Sequence, residues 1–148
     1  MVRRLAGVIS LSVLSLSGCR HSDSSPPPYV ADFEGKPSLA ANMASMEVHL
    51  SRLFRALNGG RMDAAVRVSA SELLRLQRES RGLYPSEWTG LPEQEKRALV
   101  ASYRASAVAM ADLLEALLVS IDKKDSHEAK AILERIDSFR RKCHVEFG

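Results

Sequence analysis

Aromatic side chains are scarce in this chain: Phe, Tyr and Trp number eight in 148 residues. Any core must therefore be built from Leu, Val, Ile, Met and Ala. Strand-like alternation of apolar and polar residues is nowhere sustained, which argues against a sheet. There is no phosphate-cradling glycine loop, no Ser/His/Asp arrangement and no paired-carboxylate motif, so no enzyme is expected. No basic stripe interleaved with aromatics is present, which leaves no reason to propose nucleic acid. His21, His49 and His127 stand apart from one another. Only Cys143 and His144 can be assembled as nitrogen and sulfur donors, short of the usual four of a structural zinc site.

Long apolar runs are also missing. The longest stretch, Leu5 to Leu16, is too short for a comfortable membrane span. Preceded by Arg3 and Arg4 and followed by small residues, it reads as a secretory signal over residues 1–18. Its exit, Leu16-Ser17-Gly18-Cys19, resembles a bacterial lipobox. That resemblance implies that Cys19 becomes the first mature residue and carries lipid. Arg20 after the Cys resembles the outer-membrane default, so the expected address is the cell envelope, anchored in the outer membrane and facing the periplasm. Losing Arg3 and Arg4 takes the formal net charge from +3 to +1, so the basic pI says little about the working protein.

Cysteine is limited to Cys19 and Cys143. With Cys19 lipidated, Cys143 has no partner within the chain, and a lone thiol in an oxidising compartment requires an explanation. It is buried and inert, joined to a second copy, or bonded to a cofactor. Residues 19–37, with four prolines and no helical period, read as the lipidated Cys and a flexible tether. Residues 38–148 form one domain by length.

Within that domain the pattern is helical. Leu39, Met43, Met46, Leu50, Leu53 and Leu57 step by 4, 3, 4, 3 and 4, one face of an amphipathic helix over 38–57. Asn58-Gly59-Gly60 ends it. Met62, Val66, Ser69, Leu73 and Leu76 repeat the pattern over 62–80. Residues 81–92, holding Tyr84, Pro85 and Trp88, form a loop, with Trp88 as its anchor. A third helix runs from about Pro92 to Ile121 with Leu99, Tyr103, Ser106, Met110, Leu113, Leu117 and Ile121 inward. Asp125 to Glu128 look like a capping box opening a fourth helix, with Ala129, Ile132, Ile136, Phe139 and Cys143 on one stripe. The expected fold is all-α, an antiparallel up-down-up-down four-helix bundle. Such a bundle folds without any cofactor.

That topology sets the start of helix one beside the end of helix four, bringing Met43 and Met46 near Cys143 and His144. A thioether and an imidazole there match a known axial pair for haem iron. At these residues the chain resembles the cytochrome c-prime and cytochrome b562 superfamily, four-helix periplasmic haem proteins. The resemblance rests on "NMASMEVHLSRL" (42–53), "RALNGGRMDAA" (55–65) and "RRKCHVEF" (140–147). It implies Met43 and His144 as axial ligands and Arg140 facing a propionate, a task Arg75 and Arg78 at the same end could share without a motif. The c-type attachment run, Cys-x-x-Cys-His, is broken, because Arg140 stands where its first Cys belongs. Cys143 could then form one thioether, or haem could bind noncovalently. The resemblance implies electron transfer with a redox partner protein. The alternative is a haem-free bundle lipoprotein acting as a structural or interaction module, with Cys143 able to cross-link a homodimer.

Overall fold

The computed structural model describes residues 38–147. The expected signal, the lipidated Cys19 and the tether lie outside the described residues. What is described is an all-α four-helix bundle: α1 (Leu39–Asn58), α2 (Ala64–Ser80), α3 (Glu93–Asp122) and α4 (Ser126–Phe147), with a 3-10 turn at Ser86–Gly90 between α2 and α3. No described helix is long and apolar enough to cross a membrane.

The helix ends follow from local chemistry. Ser38 caps α1 by accepting from the Ala41 amide at 3.1 Å. Asp63 caps α2 through the Val66 amide at 3.1 Å, and Asp125 accepts from the Glu128 amide at 2.9 Å. Each satisfies a donor that the first helical turn cannot pair internally. Met62, expected inside the second helix, precedes this cap. Helix α3 opens instead after Pro92, with Glu93 and Glu95 in its first turn, where negative charge suits the helix dipole.

Two turns at one end have the same construction. After α1, the Arg61 amide reaches the Ala56 carbonyl at 2.9 Å and the Gly60 amide reaches Leu57 at 3.0 Å. Gly60 has φ +73°, the left-handed conformation such a stop requires. After α3, the Asp125 amide reaches Ser120 and the Lys124 amide reaches Ile121, both at 3.0 Å. There Lys124 adopts φ +59° without being glycine. Its ammonium donates to the Met62 carbonyl, tying the two turns together.

Cross-helix contacts pair starts with ends. Asn42 in α1 meets Ser80 at the end of α2. Arg67 early in α2 pairs with Asp122 closing α3, and Ser102 early in α3 bonds Glu146 near the end of α4. The core fills the half of the bundle nearer the turns. Leu53, Leu57, Leu117 and Ala129 are wholly excluded from solvent, and Ile121, Leu133 and Ile136 nearly so. Each helix packs on its chain neighbours, whereas α1 and α4 meet more sparingly. That seam is the open side of the bundle.

Burial of such aliphatics is what holds helices of this length together. Leu117→Ala should lower unfolding free energy by about 2–5 kcal/mol, measured by chemical denaturation. Val145→Ala, on an exposed site, should change it by less than about 0.5 kcal/mol.

Candidate functional site

Away from the two turns, the bundle end is sealed by side chains instead of short connections. The buried Trp88 stands edge-on to Tyr103 at 5.9 Å and to Phe147 at 6.1 Å between ring centres, and Tyr103 meets Phe147 at 5.7 Å. Tyr84 stacks on Trp88 at 6.5 Å. Loop, α3 and the end of α4 are thus locked by four rings, and Trp88 is a loop anchor. Small residues stand where these walls approach the axis: Ser80, Ser106 and Ala107. Beneath the rings they leave a cavity of about 320 Å³, at the low end of the range of about 300–1,000 Å³ usual for small-molecule sites.

Met43 and Met46 from α1, and Arg140, Cys143 and His144 from α4, all line this cavity. The four expected cofactor-site residues, Met43, Arg140, Cys143 and His144, therefore share one space although about a hundred residues separate the first from the rest. Leu50, Leu73, Leu114 and Ile136 supply apolar wall. Met43 is 37% exposed, and His144, which lines the same cavity, is exposed without a hydrogen bond or ion pair among the described residues. Cys143 is half-buried. Burial and the Glu146 carboxylate push its thiol pKa up, against smaller opposing effects of the Ser106 hydroxyl and Lys142.

Arg140 spans the α1–α4 seam. It donates to Asp137 at 2.9 Å on its own helix and pairs with Glu47 of α1 at 3.3 Å. Arg75 and Arg78 do not join it. Arg75 is held between Glu72 and Glu79, and Arg78 by Glu115 at 2.7 Å, all on the exposed surface. Glu47, Gln77, Ser106 and Met110 also line the cavity; of these, sequence reasoning placed Ser106 and Met110 only on an inward stripe.

Asn42 and His49 are buried although the apolar pattern passes them by. They belong to a second row on α1, Leu39, Asn42, Met46, His49 and Leu53, whose steps are equally helical. With Asn42, His49 and Leu53 of that row buried, Met43 stands further out, 37% exposed, among the residues that line the cavity. The Asn42 amide donates to the Ser80 hydroxyl at 3.2 Å, and the Tyr103 hydroxyl donates to the Ser80 carbonyl at 3.2 Å. One polar chain so joins α1, α2 and α3 beside the site. Asn42 Oδ1 and His49 Nδ1 have no hydrogen-bond partner among the described residues.

No family model, curated protein or solved structure matches the chain.

His49 carries a measurable consequence. It is 8% exposed, and burial, then the positive charges of Arg52 and Arg75, lower its pKa from 6.5, with Glu72 opposing. The unfolded chain takes a proton near the ordinary value of 6.5, whereas the folded chain refuses it until lower pH. The stability that His49 contributes is thus complete above that value and is lost as pH falls from there through the lowered pKa. Denaturation curves between pH 7.5 and about pH 5 should show stability falling more steeply in the native chain than in His49→Gln.

Proposed function

We propose that this chain is a lipid-anchored haem-binding protein of the bacterial envelope, serving electron transfer. The observation that carries the reading is the convergence of Met43, Arg140, Cys143 and His144 on one apolar cavity at the α1–α4 seam. The residues present fit such a group. A thioether and an imidazole stand on two helices that face each other across the seam, and both are free of competing hydrogen bonds among the described residues. Thioether sulfur suits low-valent iron and imidazole suits iron generally.

Each side chain has a distinct task. Met43 and His144 would hold the iron. Leu50, Leu73, Leu114 and Ile136, which line the cavity, would exclude water from the bound group. Arg140, whose guanidinium matches carboxylate geometry, would orient a propionate at the rim, exchanging its longer contact to Glu47 for the incoming carboxylate. Cys143 stands next to His144 and offers a single thioether, because Arg140 replaces the first cysteine of a double attachment. When bound, haem supplies a one-electron couple whose potential the axial ligands and burial tune. The exposed mouth would be the face that a redox partner protein approaches. Anchoring through lipid on Cys19 and placement at the outer membrane belong to the same proposal and rest on residues 1–20 of the sequence.

The test is spectroscopic. The full chain, produced with ample haem, should show an intense haem absorption band. His144→Ala and Met43→Ala should each weaken haem binding by roughly tenfold or more, about 1.4 kcal/mol, and Met43→Ala should change the reduced spectrum. Haem staining of a denaturing gel should be lost in Cys143→Ala if the thioether forms. A colourless product that takes up no added haem would favour the haem-free structural or interaction module.

A further inference from the structure

Sulfur is distributed unevenly in this protein. Residues 38–147 contain five sulfur-bearing side chains, Met43, Met46, Met62, Met110 and Cys143, and all but Met62 line the cavity described above. They come from three helices. Met43 and Met46 are three apart on α1, so their thioethers share a face about 4.5 Å apart along the axis. Met110 enters from α3 and Cys143 from α4. Met46 and Met110 pack on one side against the aliphatic core, and together with Cys143 they are half-buried where they line the cavity.

The surroundings select the kind of guest. Thiolate and thioether donors are soft and favour Cu(I) over hard divalent ions. The adjoining walls are aliphatic, so a strongly hydrated cation would lose its water with little in return. Among the described residues no three His, Cys, Asp or Glu side chains come together. The clusters of thiolate, imidazole or carboxylate that hold Zn²⁺ or Mg²⁺ are therefore absent from the same residues, whereas three methionines and Cys143 line one cavity.

We propose that the haem-free cavity binds one Cu(I) ion through the Cys143 thiolate and the thioethers of Met46 and Met110, with Met43 at the mouth as the entry ligand. The inference does not rest on the haem reading, although it shares Met43 and Cys143 with it: it needs Met46 and Met110, which that reading does not use as ligands, and it does not need His144. Binding forms a sulfur–copper bond and breaks the Cys143 S–H bond, with the proton released to water. Copper stays Cu(I), and nothing is oxidised or reduced.

The test is a competition titration. The haem-free full chain is mixed anaerobically with Cu(I) held by the coloured chelator bicinchoninate, with ascorbate keeping the metal reduced. The expected result is withdrawal of one equivalent of copper, weakened at least tenfold both by Cys143→Ser and by the Met46→Leu/Met110→Leu pair. Leucine approximates methionine in volume, and helical circular dichroism checks that each variant is folded. Failure of the folded native chain to withdraw copper, or equal withdrawal by both variants, would overturn the proposal. The double variant keeps Met43 and His144, the ligands of the haem reading, so a separate haem titration of native chain and double variant reports on that reading by itself. Loss of copper binding alone and loss of haem binding alone are thus separately visible.

Discussion

Two short turns at one end of the bundle determine what the other end must do. The turns after α1 and α3 are closed by matching backbone hydrogen bonds and joined by Lys124. They hold the helices together where the aliphatic core is densest. At the far end there are only a longer loop, the beginning of α1 and the end of α4. Side chains must close that end: four rings close it on the α3 side, and Arg140 bridges the α1–α4 seam to Glu47. The cavity follows from this asymmetry. A bundle with large aliphatics in place of Ser80, Ser106 and Ala107 would have filled it.

Polar groups set the orientation of α1 within this frame. Asn42 and His49 occupy buried positions that leucine would fill at less cost in unpaired polar atoms. The gain is rotational. With the row through Asn42 and His49 turned inward, Met43 stands at the rim and Met46 in the wall, so that both thioethers address the cavity. The bond from Asn42 to Ser80, and that from Tyr103 to the same residue, fix α1 against α2 and α3 at the level of the site. Stability and site geometry therefore share the same few atoms.

The helices were legible in the sequence because their apolar steps are regular and their stops are marked by Gly59-Gly60 and by the prolines of the loop. That Met43, Cys143 and His144 line one end of the bundle together was legible too, since it follows from helix order alone. Asn42 and His49 were not, because hydropathy assigns polar residues to the surface, and only the spacing of the row they share with Leu39, Met46 and Leu53 reveals them. In α3 the buried residues include Ala107, Leu114 and Ser120, displaced from the stripe that runs through Met110 and Leu113. A long helix with apolar residues on much of its circumference does not disclose its inner face by period alone. The engagement of Arg75 and Arg78 on the surface depends on partners from Glu72, Glu79 and Glu115, which spacing leaves undecided.

The central claim is that one end of this bundle is a binding cavity walled by methionines, with Met62 outside it as an internal control. Methyl-labelled methionine offers the direct measurement: NMR spectra of the full chain recorded during titration with haem. The account predicts large shifts or broadening of the Met43, Met46 and Met110 methyl signals while the Met62 signal keeps its position. Haem that leaves those three signals in place, or that moves Met62 as much as the others, would contradict it.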